Sequence, residues 1–303
     1  MHEHNSSVNQ SKRTNRLRDS WTRATPAQRV RTAIIGIVCA AALVAATVCS
    51  SNAALARVNM QTALDRQAEL VELYGFDPGN IISQHQFFDR DAMSEHDIQS
   101  FLNEQGEACT GKECLKNATF TVANRKADRY CNEYVADKSH KEHAASIIYK
   151  TQQACAVSAK VLLTMLQKEQ QLVTAANPTA QQYRSAMGLS CPDDKACDTA
   201  YAGFFNQVFG SAQRYQYYVH HENEYGYHAH ALNYVRFNPD PACGGTDVYI
   251  HNRATALLYI YTPYQPNTAA LAAGAGEGDA CSTYGNRNFS LIYQGWFGDP
   301  RVS

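Results

Sequence analysis

Eight cysteines, Cys109, Cys114, Cys131, Cys155, Cys191, Cys197, Cys243 and Cys281, follow an uncharged apolar segment. This combination limits the fold more than any other feature of the chain. An even number of cysteines beyond an export-type segment reads as four disulfides, which persist only in an oxidising compartment. Many connectivities are open to eight cysteines. Pairing of sequence neighbours gives Cys109–Cys114, Cys131–Cys155, Cys191–Cys197 and Cys243–Cys281. Zinc is the rival use of cysteine, but no C-x-x-C spacing occurs.

The apolar segment, Ala33 to Cys49, runs 17 residues without a charge. Before it, Lys12, Arg13, Arg16, Arg18, Arg23, Arg29 and Arg31 stand against Glu3 and Asp19, a formal net of +5. Positive charge on that side holds the N-terminus in the cytoplasm. The segment's length is at the lower limit for spanning a bilayer, and Ala54-Leu55-Ala56 is a small-x-small site for signal peptidase. Cys49 is a poor lipidation site, because Val48 before it is bulky. Four regions are therefore expected. Residues 1–32 are a cytoplasmic basic arm. Residues 33–56 are a signal peptide or a transmembrane anchor, touching membrane through residues 33–49 if uncleaved. Residues 57–75 are a stalk or linker, and residues 76–303 are an exported domain, extracellular or at the cell surface. The whole chain is −1, so the part beyond the +5 arm carries −6. That lacks the basic footprint of a nucleic-acid binder, and no nucleic-acid partner is expected. About 250 residues bury one substantial core.

The periodicity is helical over most of this outer part. Arg57 to about Leu73 reads as a stalk helix, with Met60, Leu64, Ala68 and Val71 loosely periodic. Met93 to Leu102 is a short helix with Ser94 as N-cap and Asp97 at the capping-box position. Ala144 to Ala154 carries Ile147, Ile148, Thr151 and Ala154 on one side. Ser158 caps a further helix that runs to Glu169, and the short connection between the two favours antiparallel packing. Gly203 to Tyr218 and Arg253 to Tyr261 are the third and fourth core helices. The tail, Gly285 to Pro300, is aromatic and polar and is expected to fold back on the body. Strand signal is weak, with Thr246 to His251 the best candidate. The predicted class is mainly α (α+β with little strand), a helical domain stapled by disulfides.

Glu169 is the chemically pointed residue. Leu162, Met165 and Leu166 precede it by seven, four and three residues, so a helix puts them on its face. A carboxylate on an apolar stripe is costly to ionise, and its pKa is expected to rise, as a general acid near neutral pH requires. Three downstream segments are candidates to surround it and bind substrate. The first is Tyr183 to Ser190, with Tyr183, Ser185, Met187 and Gly188, whose small residues admit close backbone approach. The second is Gly203 to Gln207, with Asn206 and Gln207. The third is Ala256 to Tyr264, with Tyr259, Tyr261 and Tyr264. The chain has 18 tyrosines, and flat rings with a polar tip suit sugar faces, although they fill cores equally well.

These segments carry a resemblance. From about Phe76 to Pro300 the chain resembles actinobacterial cell-surface domains of the lysozyme-like superfamily, relatives of lytic transglycosylases, goose-type lysozymes and endo-β-N-acetylglucosaminidases, some labelled haemagglutinin. Leu162 to Gln170 is similar to the helix that ends in that superfamily's catalytic Glu. Ser185-Ala186-Met187-Gly188-Leu189 is similar to its glycine-containing cleft loop, and Leu258-Tyr259-Ile260-Tyr261 to its later helix with a substrate-positioning Tyr. The resemblance implies a lysozyme-like domain and a cell-envelope glycosidase with Glu169 as general acid. Its partner would be peptidoglycan or another amino-sugar polysaccharide, and no cofactor is implied. Departures are visible. Gln170 stands where transglycosylases have Ser, Ser190-Cys191 where they have Met-Gln, and Thr262-Pro263 where they have Asn-Ala-Gly. They leave the acid in place and leave both hydrolysis and anhydro-sugar formation open. Asp193, Asp194, Asp198, Asp240, Glu277 and Asp279 are the candidates for a second carboxylate.

The alternative is a non-catalytic glycan-binding or adhesion module on the same scaffold; a weaker third is a structural envelope protein that binds another protein. The enzyme needs Glu169 at the floor of a groove. The module is compatible with a blocked groove, or with Glu169 in a salt bridge to Lys168 or Arg184. His220, His221, His228 and His230 lie in a tyrosine-rich stretch, with His228 and His230 on one face if it is a strand. They read as a polar exposed loop, and no metal is expected. Asn117-Ala118-Thr119 matches the N-glycosylation pattern.

Overall fold

The computed structural model describes residues 25–191 and 197–302, without the side chains at 43 and 46–51. The chain divides into two compact units, residues 1–59 and 60–303. The first unit's described part is helical. It belongs to α1 (Pro26–Tyr74), whose last residues, from Met60, enter the second unit. Ile34, Ile35, Ile37 and Val38 are all more than half exposed. Among the described residues no helix is long and apolar enough to cross a membrane. The side chains at 43 and 46–51, inside the segment expected to be an export signal or anchor, lie outside the described residues.

The second unit is mainly α with little strand. In order it contains α2 (Gln84–Phe88), α3 (Glu95–Gln105), β1 (Thr119–Thr121), β2 (Lys141–His143), α4 (Ala144–Cys155), α5 (Ala159–Gln170) and α6 (Ala180–Arg184). Then come α7 (Phe204–His220), β3 (Ala231–Arg236), β4 (Gly245–Ile250), α8 (Arg253–Tyr261), α9 (Thr268–Ala272) and α10 (Gly285–Phe297). The strands form two separate antiparallel pairs. Phe120 faces Glu142 across β1 and β2, and Asn233 faces Val248 across β3 and β4.

α5 is the central helix. Val161, Leu162, Leu163, Met165 and Leu166 are all closed to solvent, and a helix apolar on every side has to be surrounded. Ser158 caps it by accepting from the Lys160 N–H. Gln171, at φ 54°, ends it in the left-handed region and returns its N–H to Gln167 and Leu166. α10 packs along α5, and α4 packs on both α3 and α7. α4 and α5 touch each other across left-handed Ala156 (φ 49°), and each packs more extensively on another helix. Gln67, near the end of α1, grips the β4 backbone at Tyr249, accepting its N–H (2.8 Å) and donating to its carbonyl (3.2 Å). The tail folds back as anticipated, with the Ser83 N–H donating to the Pro300 carbonyl.

The four disulfides are Cys109–Cys114, Cys131–Cys155, Cys191–Cys197 and Cys243–Cys281. Pairing of sequence neighbours anticipated all four. His228 and His230 are not on a strand. They sit in the turn before β3, and His230 has a positive φ of 57°.

Candidate active site

Glu169 stands on the last turn of α5, where the helix leaves the core. Leu162, Met165 and Leu166 beneath it are fully buried, and its side chain is 23% exposed. The carboxyl is held from two sides. Its Oε1 accepts from Lys168 Nζ at 2.5 Å. Its Oε2 faces Gly188, so closely that a Cβ built there would lie 3.1 Å away. Gly188 has φ +70°, so two independent reasons, conformation and space, favour glycine at this position.

Lys168 corrects the picture of an isolated carboxyl. Its own side chain is only 7% exposed. Nζ also donates to Thr262 Oγ1 at 3.2 Å and lies 5.9 Å from the Tyr261 ring centre. The carboxyl at the end of the apolar stripe therefore has a cation in direct contact. Arg184, the other salt-bridge candidate, makes no ion pair with a described residue.

The loop at Ser185–Leu189 is built by Gln207, which is wholly buried. Its Oε1 accepts from the Met187 and Leu189 N–H groups (3.0 and 3.1 Å), and its Nε2 donates to the Leu189 and Tyr201 carbonyls (both 2.9 Å). Ser185 adds a carbonyl contact to the Gly188 N–H at 2.9 Å. Tyr261, from the end of α8, donates its hydroxyl to the Met187 carbonyl. Its ring stacks on Tyr215 of α7 at 5.2 Å. Burial, with the Glu169 charge adding to it, holds the Tyr261 phenol far above its ordinary range. The Tyr215 phenol is raised by burial, then by Tyr261 and Glu169. Both phenols are therefore neutral beside the carboxyl.

Glu169, Gly188 and Tyr261 thus meet, as the three segments suggested. Several other expected contacts are corrected. Met187, Gln207 and Tyr259 have no exposed side chain, and Ser185 has almost none. Their part is to set the loop, and the Tyr259 hydroxyl is engaged with the Pro78 carbonyl at 2.8 Å. Tyr264 is half-buried and bridges the Arg236 backbone. Tyr183 and Asn206 do reach a surface. They line a groove of about 550 Å³ with Phe120, Arg184, Gly203 and Phe204. Glu169 does not line it.

Asp193 and Asp194 lie outside the described residues. Asp198 and Asp240 accept backbone N–H groups of their own turns at 2.9 Å. Asp279 is held by Asn267, Ser282 and Cys281, which lower its pKa, led by the Asn267 hydrogen bond. Glu277 is exposed. The histidines serve local contacts. His221 lies 4.1 Å from the Tyr217 ring in a stack and bonds Glu224 at 2.8 Å, while His220 meets the Gln216 carbonyl. Sequence reasoning missed Tyr215 and Phe120 as neighbours of these sites, while Thr262 lay within the third segment. Of the two, only Tyr215 left a signal, as part of the buried stripe Val208, Ala212, Tyr215 of α7.

No curated protein and no solved structure matches the chain. Residues 80–302 match the family described as LasA, N-terminal domain. That stretch covers α2 through α10 and all four disulfides, and the chain belongs to the LasA N-terminal domain family.

Proposed function

We propose that this is an exported cell-envelope protein that cuts the glycan strands of peptidoglycan, or of another amino-sugar polysaccharide, with Glu169 as general acid. One observation carries the reading. Gly188 lies against the Glu169 carboxyl, and Tyr261, from a third segment, bonds the loop that carries Gly188 and lies beside the Lys168 ammonium paired with that carboxyl. The similarity of those same segments to the lysozyme-like superfamily supports it. Family membership bears only on the coarser part, being in keeping with a secreted, cell-wall-active protein. Four disulfides agree with export through residues 33–56.

In this reading Glu169 gives its proton to the glycosidic oxygen between two amino sugars, and an oxocarbenium-like centre develops. This role requires the bound strand to displace Lys168 from Oε1, which it contacts in the free protein. Asp198, Asp240 and Asp279 are engaged in turns, which favours stabilisation by the sugar's own acetamido or 6-hydroxyl group. Glu169 then returns as base.

The ion pair itself favours a second reading, a non-catalytic glycan-binding or adhesion module in which Glu169 stays paired with Lys168. The full chain incubated with purified peptidoglycan separates the two. Soluble fragments from the wild type and none from Glu169→Gln support cleavage. Binding without release by either protein supports the module. Neither binding nor release removes both.

A further inference from the structure

The groove beside Tyr183 has a chemistry of its own. It lies on the chain immediately before the loop that presents Gly188 to Glu169. The Gly203 N–H donates to the Arg184 carbonyl at 3.0 Å and ties its two walls together. A second hollow of about 460 Å³ shares Phe120, Ala180 and Tyr183 and continues to Lys112, Glu113 and Asn117. Each volume falls in the range of small-molecule sites.

The floor is aromatic and fixed. Phe120 stacks on Phe204 with ring centres 4.2 Å apart, and Tyr183 lies 5.0 Å from Phe120. The Tyr183 hydroxyl is anchored on the Glu113 carbonyl at 2.5 Å. Rings held this way lose little freedom when a ligand settles on them. Phe120 and Tyr183 keep part of their surface in solvent.

The rim is cationic. Arg184 lines the groove, and Arg125 is bonded to its lining residue Asn206. Both are exposed, and neither has a carboxylate partner among the described residues. Arg125 is positioned by the Asn206 side-chain oxygen at 2.7 Å and by the Phe205 ring at 5.3 Å, both of them lining residues. In a region whose formal charge is −6, a guanidinium lining the groove and a second one beside its lining, neither paired with a carboxylate, are a local reversal of sign. Among the described residues Glu113 is the only acid lining either hollow, and it lines the second, away from Arg184. A guanidinium fork is matched to a carboxylate. An apolar ring floor beneath such a fork fits a sugar that offers a flat face and carries a carboxylate.

We propose that this groove binds a carboxylate-bearing amino sugar of the glycan strand, with the ring on Phe120 and Tyr183 and the carboxylate on Arg184 and Arg125. The inference rests on the glycan reading above and makes it specific. Neutral amino-sugar strands fill the same floor without the ionic contact.

The test is binding, measured by calorimetry on the full chain carrying Glu169→Gln, so that turnover plays no part. Two peptide-free oligosaccharides of equal length serve as probes: one of N-acetylglucosamine alone, one alternating N-acetylglucosamine with N-acetylmuramic acid. The carboxylate-bearing probe is expected to bind at least about tenfold tighter. Arg184→Gln with Arg125→Gln removes that preference, a loss of about 10- to 100-fold for charged hydrogen bonds, and leaves the neutral probe unchanged. Tyr183→Ala weakens both probes. Equal affinity for the two, no effect of the arginine substitutions, or no binding of either overturns the proposal. Binding that appears only when stem peptide is attached to the muramyl sugar also overturns it, in favour of a peptide site. A wild type that never cuts glycan, while the arginine-dependent preference persists, removes the cleavage reading alone.

Discussion

Gly188→Ala probes the site with one added methyl group. At φ +70° an alanine sits in the left-handed region, which costs about 1–2 kcal/mol. Its Cβ would also lie 3.1 Å from Glu169 Oε2, 3.5 Å from Cδ and 3.9 Å from Cγ. The first distance is shorter than ordinary contact, so the carboxyl has to retreat by a few tenths of an ångström while Lys168 holds its other oxygen. Gly75 supplies the control. Its φ is +67° and nothing lies within 4 Å of a Cβ there, so Gly75→Ala bears the backbone cost without touching the site. Both variants are expected to melt lower, by about 2–8 °C for a domain of this size. Only Gly188→Ala is expected to lose function, by roughly tenfold or more in the rate of glycan cleavage, because catalytic groups tolerate displacements of only about half an ångström. The assay is fragment release from purified peptidoglycan at a temperature where both variants are fully folded. Equal rates for the two variants would refute the argument that Gly188 sets the Glu169 carboxyl.

Tyr261→Phe leaves the Met187 carbonyl without its donor and is expected to cost about 1–3 kcal/mol in chemical denaturation, with a larger fractional loss of cleavage than of binding. Lys150→Met strips the ammonium from Glu142, whose side chain is fully buried and also takes the Tyr134 hydroxyl at 2.7 Å; the expected loss is about 3 kcal/mol by urea unfolding, and a loss below about 0.5 kcal/mol would contradict it. The Arg301 side chain, against a smaller opposing effect of burial, holds Asp299 below its ordinary value. Its contribution is therefore present above pH of about 4 and is lost as pH falls through the depressed value. Asp299→Asn is expected to flatten the acid limb of the stability curve by less than about 1 kcal/mol, and an unchanged limb would contradict the pairing.

Most of the helical framework was legible because burial imposed a period on it. α8 has the bounds its pattern suggested, Arg253–Tyr261, and the Ser94–Asp97 capping box is formed. The disulfides followed from chain proximity. β1 and β2 left no such trace, since three-residue strands are too short to show alternation. His228 and His230 before β3 lie in an exposed loop, as they read, and β3 itself was not anticipated. At the site, the convergence of Glu169, Gly188 and Tyr261 was readable in the order of the segments. The pair with Lys168 was also open from the sequence, by adjacency and not by period, since adjacent residues on a helix point to different faces. The contact forms where the helix ends, at Gln170, with Thr262 also accepting from the ammonium. The Phe120 groove depends on a contact between a short strand and two distant helices, which only tertiary structure creates.

Mass analysis of what wild type and Glu169→Gln release from the same peptidoglycan addresses the central idea most directly. The account predicts glycan fragments from the wild type, ending in a reducing sugar or in an anhydro sugar one water lighter, and none above background from the variant. Identical fragments in identical yield from Glu169→Gln would contradict it.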